Sequence, residues 1–254
     1  MMDTAMYLKR IGYEDATDVS DHVLASLHKH HVYKVPFENL DVYYKRIFDI
    51  DLENIYRKVV IDQRGGFCYE LNLLFNWLLQ ELGFSSRIIA ARIINEQGVP
   101  GPAFDHMSIY VKAEREYLLD VGYGDLFVTP LEIKSGIQSD GRNHFKIEEQ
   151  GDDTYLLSMS SDGIVYNGRY TFSLSVVQPG DFELPCIDKQ TSPDSHFVKN
   201  VICTIPTDEG RLTIFNDKFV ERRGEQRMIS PIDGDDNLRE LLKTRFSIVI
   251  RGML

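Results

Sequence analysis

Cys68 stands in a local sequence that favours a reactive thiolate. The pair Gly65-Gly66 precedes it, and two glycines permit a sharp turn that few other residues allow. Apolar residues at helical spacing then predict a helix over 66–82, which places Cys68 in the first turn. Unpaired N–H groups and the positive end of the helix dipole favour a thiolate there. The competing interpretation is a small buried apolar residue, the common fate of a free cysteine.

A thiolate nucleophile usually needs a base or an imidazolium partner, and His106 is the best candidate. It lies where a loop rich in proline and glycine enters a predicted strand. Four other histidines fall on or near a polar predicted helix and are interpreted as solvated surface residues, namely His22, His28, His30 and His31. His144 and His196 have no neighbouring residues that suggest chemistry.

Asp120 could fix the tautomer of that imidazole and stabilise its charged form. It ends a short apolar run, where a carboxylate is costly to bury without a partner; an ordinary turn aspartate is the alternative. His106 follows Cys68 by 38 residues (106 − 68) and Asp120 follows by 14 more (120 − 106). Caspases place the histidine before the cysteine, and papain-like enzymes place it roughly 130–150 residues after. The residues therefore predict a Cys-His-Asp thiol enzyme, and they do not specify its substrate.

The elements around these residues predict a mixed α+β fold. The first third is helical, with Ser20-Asp21 and Asp51 as caps, and Gly83 ends the helix that begins near Cys68. Short segments rich in β-branched and aromatic residues follow, separated by turn pairs that include Asn167-Gly168. They predict an antiparallel sheet or small barrel. The predicted strands are Arg87–Ile94, Met107–Val111, Tyr117–Val121, His144–Ile147, Tyr155–Met159 and Tyr170–Val176.

The last quarter of the sequence is mixed in character. Strands are predicted at Val198–Ile205 and Arg211–Phe215, joined by a turn at Glu209-Gly210. A helix follows at Asp235–Thr244, and a final strand at Phe246–Ile250. No repeat, low-complexity tract or linker separates the three regions, which favours close packing among them.

Composition narrows the classes of partner. The chain has 254 residues and a net charge of −11, which disfavours nucleic acid and anionic membrane surfaces. Three cysteines without a CxxC pair indicate neither a disulfide framework nor a zinc site. The N-terminal residues do not read as a signal peptide, and the apolar runs are too short to cross a bilayer. We expect a cytoplasmic protein with no bound metal.

At these residues the sequence resembles the arylamine N-acetyltransferase family. The resemblance covers the chain from near its start to the last third, and its most specific pieces are Arg64–Glu70 and Val35–Asp41. Further matching pieces are Tyr7–Gly12, the strand of His106, Asp120–Gly124 and Gln190–Pro193.

The resemblance implies a three-part fold with a cysteine-protease-like triad arrangement. A helical bundle over residues 1–83 would bear the cysteine, a β-barrel over 84–190 the histidine and aspartate, and an α/β lid would cover 191–254. It also implies acetyl-coenzyme A as co-substrate and an arylamine or hydrazine as acceptor. The implied reaction is ping-pong, through an acetyl-cysteine thioester.

The resemblance assigns roles to individual residues. Cys68 would be the nucleophile, His106 the base and Asp120 the orienting acid, while Arg64 and Glu38 would form a buried charge pair that braces the site. The implied acceptor contacts are Phe37, Phe104 and Asp105, and the implied coenzyme contacts are Gly122, Gly124, Thr191 and Ser192. The competing interpretation of Phe37 is a core phenylalanine.

Two other functions remain open on the residues alone. A thiol hydrolase, protease-like or transglutaminase-like, could use the same triad on a peptide amide. A binding module could keep the pocket without turnover, although all three candidate catalytic residues are present.

Overall fold

The computed structural model describes residues 2–250 and confirms the predicted α+β architecture, with helices at both ends and antiparallel strands between them. The helices are α1 (Thr4–Ile11), α2 (Asp21–Lys34), α3 (Leu40–Tyr43), α4 (Leu52–Tyr56), α5 (Cys68–Glu81), α6 (Glu183–Thr191), α7 (His196–Lys199) and α8 (Gly234–Phe246). The strands are β1 (Phe37–Glu38), β2 (Ser85–Ile93), β3 (His106–Lys112), β4 (Glu116–Leu119), β5 (Leu131–Glu132), β6 (Ile137–Ser139), β7 (His144–Gly151), β8 (Thr154–Ser160), β9 (Asn167–Ser173), β10 (Ile202–Thr207), β11 (Gly210–Phe215), β12 (Lys218–Arg223) and β13 (Gln226–Pro231).

The N-terminal helices form because capping residues and apolar stripes coincide. Ser20 caps α2, its hydroxyl accepting from the N–H of Val23, and Asp51 caps α4 in the same way at Asn54. The central helix α5 is buried along most of its length and packs against β2 and β3. It therefore joins the helical part of the molecule to the sheet.

The central sheet has eight antiparallel strands in the order β5-β4-β3-β2-β9-β8-β7-β6 and curves into a nearly closed barrel. Alternate residues of its strands face two different cores, as period-two geometry requires. Ile88 faces the helices, whereas Ile89 faces the barrel interior. At the open seam, the amide of Gln138 bonds the backbone N–H and carbonyl of Glu132 at 2.8 and 2.7 Å. One side chain thus links the two edge strands.

A second antiparallel sheet has the order β1-β10-β11-β12-β13. Its first strand, β1, comes from the N-terminal part of the chain, so this sheet is anchored beside the loop that precedes α5. Leu212 and Ile214 point from β11 toward α8, where they meet Leu242 in a separate apolar core. The opposite face of the sheet is left to border the central cleft.

Two predicted elements near the C-terminal end were wrong. Val198–Ile205 was expected to be one strand, but Ser195 caps α7, its hydroxyl accepting from the N–H of Phe197 at 3.2 Å, and β10 begins only at Ile202. Phe246–Ile250 was expected to be a strand, but Phe246 ends α8 and Ser247 takes a left-handed conformation with φ 58°. Strands β12 and β13 were not predicted, because their residues are largely polar and exposed.

The predicted turn at Asn167-Gly168 lies instead within β9. A register irregularity falls between Leu157 and Ser158 of the neighbouring strand, opposite this dipeptide. A Cβ on Gly168 would stand 2.8 Å from Cδ1 of Ile94. A glycine is therefore needed here because the Ile94 side chain approaches the backbone closely, and not because the chain reverses direction. The three domain boundaries remain a prediction, and residue 190 lies inside α6.

The interpretation of His28 and His31 as surface residues was wrong, because both are completely buried. His28 stacks on Phe127 with ring centroids 5.6 Å apart, and Nδ1 of His31 is 2.9 Å from the hydroxyl of Tyr7. Burial lowers the pKa of His28 to about 4, against the weaker opposing effect of its bond to the Val128 carbonyl. Burial also lowers the pKa of His31.

We expect the free energy of unfolding to fall as the pH drops below 6.5, because His28 stays neutral in the fold down to about pH 4 whereas the unfolded chain takes up a proton. When the pKa of a base is lower in the folded protein than in the unfolded chain, the fold is stabilised above the unfolded pKa. That stabilisation is lost as the pH falls toward the folded pKa. Once the pH is below the folded pKa of His28, protonation of this residue in the unfolded chain lowers the free energy of unfolding by ~3 kcal/mol. Urea unfolding across this pH range measures it. His28→Gln, which cannot titrate, should lose less than wild type, and parallel curves would contradict the assignment.

Candidate active site

Cys68 is the first residue of α5, and the chain before it is held in place by backbone pairing. The N–H of Glu38 donates to the Gly66 carbonyl at 3.0 Å, which docks the glycine turn on β1. A Cβ on Gly65 would stand only 2.1 Å from the Pro36 carbonyl oxygen, so no other residue fits this contact. The helix start is fixed by Glu70, whose carboxylate accepts from the N–H of Phe67 at 2.8 Å.

A buried charge network lies beside this turn. Arg64 bonds Glu38 at 2.7 Å and Asp41 at 3.2 Å, and Lys58 bonds Asp41 at 2.7 Å and Glu70 at 2.9 Å. Glu38 is 0% exposed and Glu70 only 1%, so these carboxylates depend on their cationic partners. The pair of Arg64 and Glu38 expected from the sequence is therefore present and buried, and it belongs to a larger network that also fixes the start of α5.

His106 and Asp120 form a buried pair on neighbouring strands. His106 begins β3, Asp120 follows β4 directly, and Nε2 of the imidazole is 2.6 Å from Oδ2 of the carboxylate. The exposed fractions are 3% for His106 and 2% for Asp120. Because Nε2 is bound to Asp120, Nδ1 is the ring nitrogen left for Cys68, which lines the same cleft as His106. The structure thus brings together the three residues that the sequence singled out.

Asn72 ties this pair to the helix that carries the cysteine. It lies one turn after Cys68 on the same face of α5. Its amide donates to the Asp120 carboxylate at 3.0 Å and to the Met107 carbonyl at 2.6 Å, and accepts from the N–H of Val121 at 2.9 Å. The sequence reasoning missed Asn72, although its i+4 spacing from the cysteine was a usable signal.

The electrostatics favour a charged imidazole at neutral pH. Burial alone would lower the pKa of His106, but the Asp120 carboxylate and the neighbouring Cys68 side chain outweigh burial and raise it to about 10. Burial would likewise raise the pKa of Asp120, yet His106, Asn72 and the Gly122 N–H together hold it below its ordinary value. An imidazolium beside Cys68 stabilises a thiolate, the nucleophilic form of the residue.

Cys68 opens into a cleft of ≈ 410 Å³ between the barrel and the C-terminal sheet. Four residues expected to contact substrate or coenzyme line it, namely Phe37, Asp105, Gly122 and Gly124. Gly122 is required by space, because a Cβ there would lie 2.7 Å from the Cα of Cys68. The glycine turn therefore forms the wall directly against the cysteine.

Three other expected contacts lie away from this cleft. Phe104 packs on Phe182 with ring centroids 5.3 Å apart, and its carbonyl accepts from the Tyr69 hydroxyl, so it positions the loop before His106. Thr191 is exposed and bonds the carbonyl of its own helix at Ile187, while Ser192 bonds the N–H of Asp194. The buried member of that motif is Gln190, whose amide holds the backbone of Phe48.

Several residues that line the cleft were not expected from the sequence. Lys189 of α6 pairs with Asp105 at 2.5 Å, and Arg211 of β11 pairs with Asp125 at 2.9 Å. Further lining side chains are Tyr123, His196 and Phe197. They come from four separate segments, and of these only Tyr123, between Gly122 and Gly124, lies in a stretch that the sequence had singled out.

Residues 2–250 offer neither a metal-binding cluster nor a membrane-spanning helix. No cluster of three or more His, Cys, Asp or Glu side chains that could hold a metal ion is found there. Across the same residues, no helix combines the length and hydropathy needed to cross a membrane.

Comparison with known proteins decides the family. A sequence model described as N-acetyltransferase matches residues 22–253. An arylamine N-acetyltransferase from Escherichia coli (strain K12) is 31% identical over 217 residues, which cover 84% of this chain and 76% of that protein. The chain belongs to the arylamine N-acetyltransferase family.

Solved arylamine N-acetyltransferases share the whole fold. The Salmonella typhimurium protein superposes with a TM-score of 0.92 at 25% identity, covering 99% of this chain and 94% of its own. The Mycobacterium marinum protein, solved in complex with CoA, gives a TM-score of 0.89 at 28% identity, covering 97% and 93%. These likenesses confirm the predicted helical, barrel and C-terminal parts of the α+β fold.

We expect Cys68 to be alkylated by iodoacetamide at mildly acidic pH, because the imidazolium of His106 persists up to about pH 10. His106→Gln and Asp120→Asn should both need more alkaline pH for the same rate. Cys68→Ala supplies the background from Cys186 and Cys203, which are also free. Identical pH profiles in wild type and both variants would show that the triad does not activate the thiol.

Proposed function

We propose that this protein transfers an acetyl group from acetyl-coenzyme A to an arylamine or arylhydrazine, with Cys68 as the carrier. The observation that carries the proposal is the buried Cys68–His106–Asp120 set at the floor of a cleft large enough for a small aromatic acceptor. Family membership supports acetyl transfer over hydrolysis of a peptide amide, the other reaction that such a triad can perform.

The first half-reaction acetylates the enzyme. The Cys68 thiolate attacks the carbonyl carbon of the acetyl thioester, a new C–S bond forms, and the bond to the coenzyme sulfur breaks. The departing thiolate takes the proton that His106 holds at Nδ1. Asp120 meanwhile holds the ring in place through the 2.6 Å bond between its Oδ2 and Nε2 of His106. Because Asn72 and Gly122 hold Asp120, the imidazole need not reorient during the step.

The second half-reaction returns the acetyl group to an amine. The amine nitrogen attacks the acetyl-cysteine carbonyl, neutral His106 accepts the amine proton, and Cys68 leaves as the thiolate. Splitting one acyl transfer into two steps allows donor and acceptor to use the same cleft in turn. Phe37, beside Cys68 in that cleft, offers an aromatic face to the acceptor.

We also propose that the protein works in the cytoplasm. The free thiols of Cys68, Cys186 and Cys203 support a reducing compartment, because the catalysis described above needs Cys68 unoxidised.

Cys68→Ala should lower acetyl transfer by at least about three orders of magnitude, because the covalent step is lost. Mass spectrometry after incubation with acetyl-coenzyme A should find one acetyl group on Cys68 in wild type. Cys186→Ala and Cys203→Ala are the matched controls and should keep most of the activity. Substantial turnover in Cys68→Ala, or peptide cleavage without acetylation, would overturn the proposal.

Phe37→Leu should change the ranking of aromatic acceptors by about tenfold while the rate of enzyme acetylation changes little. Phe37 is 7% exposed, and its ring lies 5.7 Å from that of Phe67 and 6.1 Å from that of Phe197. Acetylation is followed by release of coenzyme A in a single turnover, and acceptor use by steady-state kcat/KM. Phe219→Leu, at 8% exposure in the core against α8, controls for lost packing. An equal fall for all acceptors would identify Phe37 as a core residue only.

A further inference from the structure

Three arginines face one another across adjacent strands of the C-terminal sheet. Arg211 of β11 stands directly opposite Arg222 of β12, and Arg222 directly opposite Arg227 of β13. Directly opposed residues share one face of a sheet, and like charges in that position destabilise the pairing. The same face carries Thr213 toward the active-site cleft, whereas the other face packs on α8. We call Arg211, Arg222 and Arg227 the arginine row.

Carboxylates satisfy only one member of the row. Arg211 pairs with Asp125 at 2.9 Å. Over residues 2–250, the Arg222 guanidinium donates only to the Gly224 carbonyl, at 3.2 Å, and neither Arg222 nor Arg227 has an ion-pair partner. The remaining acidic side chains of this groove sit on hairpin turns, at Asp208, Glu209 and Glu225, and Glu209 lies 3.9 Å from Arg223.

The row borders a groove that continues from the active site. The groove has a volume of ≈ 820 Å³, and it shares Asp125, Arg211 and Thr213 with the cleft that holds Cys68. Arg142 enters it from the barrel side, held by the carbonyls of Thr207 and Gly210. Burial lowers the pKa of Arg211, and the nearby charges of Arg142 and Arg222 lower it further.

This concentration of arginine runs against the composition of the chain, whose net charge is −11. Guanidinium groups form bidentate hydrogen bonds to phosphate, and two or more on one rigid face can hold a polyphosphate. Two members of the row, Arg222 and Arg227, have no carboxylate partner within residues 2–250, and the row adjoins the cleft that holds Cys68. This is the chemistry expected for a donor with phosphates at one end and a thioester at the other.

We propose that Arg222 and Arg227, with Arg211 at the junction of the two cavities, bind the phosphate groups of the acetyl donor. This inference rests on the proposed function, since it assigns the phosphate-bearing end of acetyl-coenzyme A to the row and the thioester end to Cys68. Bound phosphate would reduce the repulsion between the arginines of the row. Binding of the donor would therefore also stabilise the pairing of the strands that carry them.

The test compares two acetyl donors that differ in phosphate. Acetyl-coenzyme A carries phosphates, whereas S-acetylpantetheine has the same thioester arm and none. For Arg222→Gln and Arg227→Gln, kcat/KM with acetyl-coenzyme A should fall about tenfold each, and more in the double variant. Turnover with S-acetylpantetheine should be unchanged, which also shows that the variants are folded.

Arg223→Gln is the matched control, because it removes the same charge from the same strand at a neighbouring position whose side chain pairs with Glu221. It should leave the preference between the two donors unaltered. An equal loss with both donors in the row variants, or a loss as large in Arg223→Gln, would overturn the assignment. If wild type used neither donor, the proposed acetyl transfer itself would fail, and the two failures are therefore distinguishable.

Discussion

The arrangement of this active site depends on the buried carboxylate of Asp120. It accepts from Nε2 of His106, the amide of Asn72, the hydroxyl of Ser108 and the N–H of Gly122. Those groups belong to α5, β3 and the glycine turn, so one negative charge holds three segments at fixed distances. A buried carboxylate without these donors would be several kcal/mol too costly to remain ionised. The need to satisfy Asp120 therefore also dictates how the helix packs on the barrel.

A second polar cluster performs the matching task on the other side of Cys68. Glu38, Asp41 and Glu70 face Lys58 and Arg64, which leaves one excess negative charge in a largely buried space. Burial raises the pKa of Glu70 despite its contact with Lys58. Burial alone would lower the pKa of Lys58, but the charges of Glu70, Glu38 and Asp41 outweigh burial and raise it. Removing either cation would leave a buried carboxylate unpaired, an effect worth about 3–5 kcal/mol in comparable pairs. The cysteine is thus fixed between two clusters that tolerate little change.

Local signals in the sequence were sufficient where local physics decides the structure. The glycine turn before Cys68, the caps Ser20 and Asp51 and the β-branched and aromatic residues of the barrel strands all predicted elements that the structure contains. Side-chain direction was beyond that reasoning. His28 lies on a helix of low amphipathicity that is covered by α5 on one side and by Phe127 on another, so its burial depends on residues far away in the chain. Thr191 is a different case, because its hydroxyl turns back to the Ile187 carbonyl of its own helix, a side-chain direction that the residue pattern does not show.

The C-terminal sheet shows why functional residues are hard to recognise from the sequence where the hydrophobic pattern is weak. Only one face of β11 is needed to pack on α8, so the other face is free to carry charge without loss of core. Opposed arginines cost each cross-strand pair roughly 0.2–1 kcal/mol, and strand β13 is exposed along its whole length. A sheet built only for stability would place carboxylates there. At physiological ionic strength the screening length is ~8 Å, so the acidic remainder of the protein weakly opposes an anion already in the groove. The arrangement gives up some hairpin stability and gains a positively charged approach to Cys68.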